Sequence, residues 1–463
     1  MASMKKYFLT GLVVFLLSHS GFSQLQKPNI IVILSDDAGY DDFEVYGGEE
    51  IPTPHINSLA QEGVLFTNAY VTASVCAPSR AGLLTGRYQQ RFGFEHNMSG
   101  APSKGFTKAD MGLDKNQKTI ADYLKASGYK TIAIGKWHQG SADEFFPLRR
   151  GFDEFYGFKE GQRSFFKYPK ERGDEYALYD NNKIVPEEKI TYTTDMFTDN
   201  AVSFIQKNKD RPFFIYLSYN AVHTPMQAKE SDLARFRGIK DKTRKTYAAM
   251  MASMDDGIGK VMAALKENSI DENTLVFFLN DNGGATNNAS DNGPLRGMKG
   301  SKWEGGIRVG YVMRWPSHIR SNIIYNKPVS SLDILPTALS AAGSQITFET
   351  DGVNLLPYLK NNKTPHKDLF WRRGVAAAVR SGNWKLIRVD SNPPLLFNLS
   401  KNISETKNLS GKRPRKVKKL LAKIQHWERG LEAPRWGSSA SGQNQIMKHR
   451  MNVVGRDMER KYP

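Results

Sequence analysis

The chain has 463 residues, 40% of them hydrophobic and 24% charged, a composition typical of an ordinary globular protein that is long enough for one large domain and a smaller one. Its formal net charge of +18 favours polyanionic partners, with nucleic acid, an anionic membrane surface and sulfated glycans all as candidates. The single cysteine, Cys76, excludes an intramolecular disulfide, so stability must come from the hydrophobic core.

Residues 1–23 have the features of a secretory signal peptide. Lys5 and Lys6 supply positive charge, residues 7–17 form an apolar run, and small residues lead to a predicted cleavage near Ser23. The run is too short to span a bilayer comfortably, and no later stretch approaches the ~20 apolar residues that a spanning helix needs. We therefore predict a secreted or periplasmic protein without a membrane span.

Near-continuous apolar runs predict strands that are buried on both faces. They cover residues 30–34, 131–134, 213–217 and 275–279, and polar residues follow each run. Apolar residues at helical spacing predict helices over 119–127, 195–207 and 246–267. This alternation indicates an α/β domain over residues 24–340, in which helices sandwich a mostly parallel sheet. Ligands of such sheets bind beyond the carboxyl ends of the strands.

The pattern changes after about residue 340. Short strands are predicted over 375–380, 384–389 and 395–399, with turn residues between them, and a basic helix follows over about 414–431. We predict that residues 341–463 form a C-terminal subdomain, a small antiparallel sheet with a helix. The tail beyond Ala433 is polar enough to wrap loosely or to stay mobile.

Oxygen-bearing side chains follow two of the predicted strands. Asp36 and Asp37 come after the first strand, and Asp281 and Asn282 come after the strand at 275–279. Three carboxylates and an amide carbonyl suit a hard cation, Ca²⁺ or Mg²⁺, better than zinc. Each pair alone is a weak signal, since Asp and Asn also form turns and helix caps. We interpret two further acidic pairs, at 41–42 and 255–256, as loop or helix-surface charges.

Residues 76–87 carry the most specific motif, Cys-Ala-Pro-Ser-Arg followed by Ala-Gly-Leu-Leu-Thr-Gly-Arg. Pro78 suits the first turn of a helix, which would place Cys76 at the helix N-terminus and Arg80 one turn later on the same face. Free N–H groups and the helix dipole attract anions to such an end. The alternative reading is a buried structural cysteine, the commoner role of a free thiol.

This segment resembles the signature of the type I, formylglycine-dependent sulfatases of the alkaline phosphatase superfamily. Other motifs of that family occur in the family's order over about residues 28–320: Asp36-Asp37, Gly135-Lys136-Trp137-His138, His223-Thr224-Pro225, Asn280-Asp281-Asn282-Gly283 and Gly300-Ser301-Lys302-Trp303-Glu304-Gly305-Gly306. Two positions depart from it, Gln139 where leucine is common and Gly310 where proline is common. The resemblance implies an alkaline-phosphatase-like fold and hydrolysis of sulfuric esters.

The resemblance also implies a modified residue and a metal site. A maturation enzyme would oxidise Cys76 to formylglycine (3-oxoalanine), and the hydrate of that aldehyde, acidified by one Ca²⁺ or Mg²⁺, would attack sulfur. The implied metal ligands are Asp36, Asp37, Cys76, Asp281 and Asn282.

The remaining catalytic roles rest on the same resemblance. Lys136 and Lys302 would meet the charge of the sulfuryl group, and Arg80 would hold the diol. His223, with Lys302 as a partner, would protonate the leaving group. His138 would take a proton from the second diol hydroxyl, so that sulfate is released. Singly, each of these histidines and lysines would more often be a structural or solvated residue.

The predicted substrate is a sulfated polysaccharide or its oligosaccharides, and not nucleic acid. Algal glycans such as ulvan or carrageenan are favoured over host glycosaminoglycans. Candidate substrate residues, chosen by proximity along the chain, are Arg91, His96, Asn97, Arg149, Arg163 and Arg296. Two alternatives stay open: a phosphoester or phosphonate hydrolase on the same fold, and a non-catalytic glycan-binding protein in which Cys76 stays unmodified.

Overall fold

The computed structural model describes residues 27–98, 105–168, 173–437 and 440–452. The predicted signal peptide lies outside these residues. Within them, no helix combines the length and the apolar character needed to cross a membrane.

The described residues contain sixteen strands and eleven α-helices. The strands are β1 Asn29–Ser35, β2 Val64–Phe66, β3 Ala69–Tyr70, β4 Lys130–Lys136, β5 Glu154–Phe158, β6 Tyr179–Asp180, β7 Lys183–Ile184, β8 Phe213–Ser218, β9 Thr274–Asn280, β10 Tyr311–Arg314, β11 Ile323–Tyr325, β12 Val329–Ser330, β13 Asp368–Arg373, β14 Ala376–Ser381, β15 Trp384–Val389 and β16 Leu395–Asn398. The helices are α1 Pro54–Gln61, α2 Cys76–Thr85, α3 Ile120–Ala126, α4 Thr193–Asn208, α5 Glu230–Leu233, α6 Lys242–Glu267, α7 Glu304–Ile307, α8 Ile334–Ala341, α9 Leu356–Asn361, α10 Pro414–Glu428 and α11 Ala440–Asn452.

Ten of the strands form one large sheet, in the order β11-β2-β10-β9-β1-β8-β4-β5-β6-β7. Its central strands β9, β1, β8, β4 and β5 are parallel to one another, and β10 joins β9 in the antiparallel direction. In the middle of the sheet Val32 is level with Tyr216 on one side and Phe277 on the other. The prediction of a mostly parallel sheet is confirmed.

Side chains of the central strand β1 point alternately into two hydrophobic cores. Ile31 and Ile33 pack with residues of α1, α4 and α6, whereas Val32 and its neighbours on the other face pack with residues of α2, α3 and α8. All three of these side chains are fully buried. Burial on both faces explains why the strand reads as an unbroken apolar run, and it confirms that helices sandwich the sheet.

Strands β13 to β16 form the predicted small antiparallel sheet. Helix α10 covers one face of it through Leu420 and Ile424, and Trp303 packs on the other face. Strand β13 was not predicted, although Leu369 and Trp371 are its alternate, buried positions. Leu355 still packs in the core of the large sheet, and the domain boundary at residue 340 stays a prediction.

The prediction of a loose tail beyond Ala433 is wrong for residues 440–452. They form α11, which buries Met447 and Met451 against the small sheet and Trp303. The indole N–H of Trp303 donates to the carbonyl oxygen of Met451 at 2.9 Å. These two methionines, one helical turn apart, are the apolar contacts that hold an otherwise polar segment in place.

A buried ionic group connects the small sheet to α7 and to β3, which pairs with β12 in a two-stranded sheet. Lys385 Nζ on β15 lies 2.9 Å from Glu304 Oε1 and 2.9 Å from Glu405 Oε1, and the three side chains have no exposed surface. The Tyr70 hydroxyl donates to Glu304 Oε2 at 2.6 Å. We call Lys385, Glu304 and Glu405 the sheet-linking cluster.

Two acidic residues that we interpreted as loop or surface charges are buried instead. Asp42 pairs with Arg244, with 2.6 Å between Oδ1 and NH1. Asp255 accepts hydrogen bonds from the N–H groups of His55 and Ile56 at 3.0 and 2.9 Å, and so caps the first turn of α1. The interpretation is wrong for both residues because their partners lie about 200 residues away in sequence.

Candidate active site

The predicted metal ligands and most of the predicted catalytic residues meet at the carboxyl edge of the large sheet. Asp36 and Asp37 follow β1, Asp281 follows the adjacent β9, and Lys136 ends β4. The parallel direction of these strands brings Asp37 and Asp281, 244 positions apart in sequence, to one edge.

Cys76 is the first residue of α2 and is buried. Its Sγ lies 3.6 Å from Asp36 Oδ1 and 3.9 Å from Asp37 Oδ1. Every residue of α2 is buried, so the helix holds its N-terminal end rigidly against the two carboxylates.

Two amide side chains hold the first turn of α2. Asn97 Oδ1 accepts a hydrogen bond from the Ala77 N–H at 3.1 Å, and Gln139 Nε2 donates to the Ala77 carbonyl at 3.0 Å. Gln139, which departs from the family pattern, therefore contacts the turn that carries Cys76. Asn97 was predicted as a substrate residue, but here it positions the backbone.

Each of the three carboxylates faces a cation. Arg80 Nε donates to Asp281 Oδ2 at 2.9 Å, and Lys136 Nζ lies 2.5 Å from Asp36 Oδ2. Lys299 Nζ lies 2.7 Å from Asp37 Oδ2. The group of Asp36, Asp37 and Asp281 is called the carboxylate cluster below.

Lys299, which the sequence analysis did not select, occupies the position that we expected for Lys302. Lys299 Nζ is also 3.1 Å from Cys76 Sγ. The ammonium group of Lys302 instead approaches Ser74 Oγ at 3.4 Å, and no described contact joins it to the carboxylate cluster. Both lysines lie in one short irregular segment, and no local sequence signal shows which of them faces the carboxylates.

The pKa values of the site groups reflect both burial and the charges of their neighbours. Burial raises the pKa of the Cys76 thiol to about 12, against the opposing effect of Lys136 and Lys299. Burial and the charge of Asp36 raise the pKa of Asp281 to about 6, although Arg80 opposes this. Burial also opposes ionisation of Asp37, but Lys299 and His223 outweigh it and hold its pKa below the usual range.

The two predicted catalytic histidines lie at the same edge. His223 Nε2 is 3.4 Å from Asp37 Oδ2, and its Nδ1 is 2.7 Å from the Thr224 carbonyl oxygen. His138 Nδ1 is buried without a hydrogen-bond partner among the described residues. Burial lowers the pKa of His223 to about 3 and holds that of His138 well below its usual value. His138 and Asp37 both have left-handed backbone angles, φ 54° and 63°, which non-glycine residues rarely adopt.

The donor set of this edge fits a metal ion. Asp36, Asp37, Cys76 and His223 each offer a ligand atom, and these atoms lie within 4.8 Å of one another. Asn282 Nδ2 donates to Asp37 Oδ1 at 2.7 Å, while its Oδ1 is buried and accepts no hydrogen bond from the described residues. A buried acceptor without a donor beside several carboxylates is the environment that a cation completes.

Glycine is required where two of the family motifs meet. A Cβ atom on Gly283 would lie 1.7 Å from the carbonyl oxygen of Gly305. The Gly283 N–H also donates to the Gly306 carbonyl at 3.2 Å. This close approach joins the segment of Asp281 and Asn282 to the segment that carries Lys299.

Most of the predicted substrate residues are occupied by contacts within the protein. Besides Asn97, these contacts are Arg91 with Asp351 (2.6 Å), Arg149 with Asp143 (3.3 Å), Arg163 with Glu187 (3.3 Å) and Arg296 with the Glu405 carbonyl (2.9 Å). His96 differs, since its buried Nε2 has no hydrogen-bond partner among the described residues. All six stay predictions as substrate residues.

Comparison with known proteins identifies the family. The family model described as Sulfatase matches residues 28–344, more than half of the chain. N-acetylgalactosamine-6-sulfatase of Mus musculus is 32% identical over 381 residues, which cover 78% of this chain and 72% of that protein. Arylsulfatase J of Mus musculus is 29% identical over 469 residues, which cover 89% of this chain and 77% of that protein.

A solved structure shares the fold over most of the chain. Ps i-CgsB, in complex with k-i-k-neocarrahexaose, is 38% identical in sequence and superimposes with a TM-score of 0.84. The match covers 91% of this chain and 97% of that one. The chain therefore belongs to the sulfatase family, whose members are sulfuric ester hydrolases and which is part of the alkaline phosphatase superfamily.

Proposed function

We propose that this protein is an exported sulfatase that removes sulfate ester groups from a sulfated polysaccharide or its oligosaccharides, with a formylglycine made from Cys76 as the nucleophile. The observation that carries the proposal is the position of Cys76, at the N-terminus of α2 and within 4 Å of two carboxylates and of Lys299. With its pKa near 12, the unmodified thiol would rarely ionise and would be a poor nucleophile. Oxidation of Cys76 by a maturation enzyme replaces this thiol with an aldehyde that water can hydrate.

One Ca²⁺ is the proposed cofactor, and Mg²⁺ suits the same ligands. Asp36, Asp37, Asp281 and Asn282 would hold it together with residue 76, because this set offers carboxylate and amide oxygens. When bound, the cation acidifies an oxygen ligand and offsets negative charge on the substrate.

The side chains of this chain would divide the reaction as follows. An oxygen of the hydrated aldehyde attacks sulfur, and the bond between sulfur and the sugar oxygen breaks. Lys136 and Lys299 offset the charge of the sulfuryl oxygens, and His223 protonates the sugar oxygen as it leaves. Arg80 keeps Asp281 in place.

Release of the second product completes the cycle. His138 takes the proton of the remaining hydroxyl on residue 76, the aldehyde forms again, and sulfate leaves. Water then rehydrates the aldehyde. A serine or cysteine has no second hydroxyl and would stay sulfated.

A carrageenan-type glycan is the favoured substrate. The ligand named with Ps i-CgsB is a neocarrahexaose, and that protein is 38% identical to this chain, against 32% for N-acetylgalactosamine-6-sulfatase. The net charge of +18 would also draw a polyanionic chain to the protein. Ulvan and host glycosaminoglycans are the next candidates.

Sulfate release from defined substrates tests the proposal. The matured protein should release sulfate from carrageenan oligosaccharides faster than from ulvan or chondroitin sulfate oligosaccharides. It should also cleave an aryl sulfate faster than the matching aryl phosphate. Dominant phosphatase activity would support the phosphoester hydrolase instead, and an unmodified Cys76 peptide in an active preparation would contradict the formylglycine.

A further inference from the structure

A second group of basic side chains lies beside the carboxylate cluster but outside it. Lys302 comes two residues before α7, Arg373 ends β13, and His96 lies in the segment after α2. Lys302 and His96 are 1% and 6% exposed, and Arg373 is half-buried. We call these three residues the basic subsite.

Polar atoms of the basic subsite lack partners. Arg373 Nε and His96 Nε2 are buried and make no hydrogen bond to any described residue. Ser74 Oγ, at 3.4 Å, is the contact found for Lys302 Nζ within the described part of the chain. Buried polar atoms in native proteins nearly always have a partner, so these point to a bound group.

Glu95, the carboxylate that acts electrostatically on Lys302 and Arg373, already has other partners. Glu95 Oε1 accepts from Arg372 Nε at 2.8 Å, and its Oε2 accepts from the Gly374 N–H at 3.2 Å. Arg450 on helix α11 adds a positive charge that acts on Arg373. The guanidinium of Arg450 also donates a hydrogen bond to Thr286 Oγ1 at 3.3 Å. Positive charge therefore exceeds negative charge around the basic subsite.

Electrostatic repulsion between its members indicates that the side chains of the basic subsite lie close to one another. Burial and the charge of Arg373 lower the pKa of Lys302 to about 7. Burial and Arg450 lower the pKa of Arg373 to about 10, and burial with Arg373 lowers that of His96 to about 3. A bound anion would relieve this repulsion.

The basic subsite is adjacent to the nucleophile. Ser74, which contacts Lys302, is two residues before Cys76, and its carbonyl accepts from the Gly300 N–H at 2.7 Å. Cys76 is also among the groups that act electrostatically on Arg373. In the described chain, however, Lys302 and Arg373 make no ion pair with the carboxylate cluster, so they are separate from Lys136 and Lys299.

We propose, on the basis of the proposed function, that the basic subsite binds a second anionic group of the glycan, a sulfate or a uronic acid carboxylate carried near the sulfate ester that is hydrolysed. Guanidinium and ammonium groups bind both kinds of oxyanion through charge-assisted hydrogen bonds. Lys302 and Arg373 are then specificity residues, and they take no part in cleaving the sulfate ester.

The test compares three disaccharides: one with a single sulfate, one with two sulfates, and one with a sulfate and a carboxylate. The wild type, Arg373→Met and Lys302→Met are each assayed for kcat/KM. Arg415→Met, on the exposed side of α10, is the control for net charge. The ratio of kcat/KM between doubly and singly anionic substrates should fall about tenfold or more in both variants and stay constant in the control. If the wild type prefers the disaccharide with two sulfates, the second anionic group is a sulfate. If it prefers the disaccharide with a carboxylate, that group is a uronic acid carboxylate.

Binding provides a readout that is independent of turnover. In a Cys76→Ala background, Arg373→Met should raise the Kd of the doubly anionic disaccharide about tenfold more than that of the singly anionic one. Thermal unfolding checks that each variant is folded, and either variant alone suffices for the ratio. An unchanged ratio in folded variants overturns the basic subsite, whereas a wild type that releases no sulfate overturns the proposed function and leaves the Kd ratio to decide the subsite.

Discussion

The carboxylates at the strand ends and those beneath the small sheet are equally buried, yet they are neutralised in different ways. In the carboxylate cluster Asp36, Asp37 and Asp281 each face a different cation, and the nearby oxygen of Asn282 accepts no hydrogen bond. In the sheet-linking cluster one ammonium group, that of Lys385, is shared between two carboxylates.

This difference indicates two uses of buried charge. The sheet-linking cluster pairs both of its carboxylates with one lysine and connects the small sheet to α7 and β3, so its loss should lower stability. The carboxylate cluster lies beside the oxygen of Asn282, which is unpaired among the described residues, and the thiol of Cys76, at the open edge of a parallel sheet, so its loss should lower activity. Burial and charge alone do not distinguish the two.

The largest effect is expected from Lys385→Met. Removing one partner of a buried ionic group leaves uncompensated charge, and we expect the free energy of unfolding to fall by about 3–5 kcal/mol. Denaturant unfolding measures it, with the exposed Lys419→Met as the control, expected within about 0.5 kcal/mol of wild type. A Lys385→Met protein as stable as wild type would show that the cluster does not hold the sheets together.

Lys299→Met, beside the carboxylate cluster, should show the opposite behaviour: activity should fall more than stability. Loss of a cation beside the reacting group should lower kcat for sulfate release by about 10²–10³-fold, because one donor to developing charge is removed. Stability should fall less than in Lys385→Met, because Lys299 is partly exposed and Asp37 keeps His223 as a neighbour. Lys260→Met, exposed on α6, is the matched control. Retention of full kcat in Lys299→Met would return the predicted role to Lys302.

The smallest effect concerns His366, whose Nε2 lies 2.7 Å from Asp333 Oδ1. Burial opposes protonation of His366, but Asp333 outweighs it and raises the pKa above the usual value. The pair's contribution is therefore complete below about pH 6.5, the pKa of an unfolded histidine, and is lost as the pH rises through the folded pKa.

His366→Gln should therefore remove about 1–2 kcal/mol of stability in mild acid and less in alkaline solution. Urea unfolding across this pH range measures the difference. The exposed His426→Gln is the control. An equal loss at both ends of the range would contradict the charged pair.

The sequence predicted the elements whose signal is local. The apolar run of β1 and the cysteine at the start of α2 were found because burial on two faces and a helix N-terminus leave short-range patterns. The position of Lys299 could not be predicted in this way, since both lysines lie in an irregular segment and only tertiary packing turns one toward Asp37. Burial of Asp42 depends in the same way on Arg244, far away in sequence.

The most direct test replaces the proposed nucleophile. The account predicts that Cys76→Ala, folded and loaded with calcium, releases sulfate from a carrageenan oligosaccharide at no more than the background rate, while the matured wild type turns over. Sulfate release by the alanine variant at the wild-type rate would contradict it.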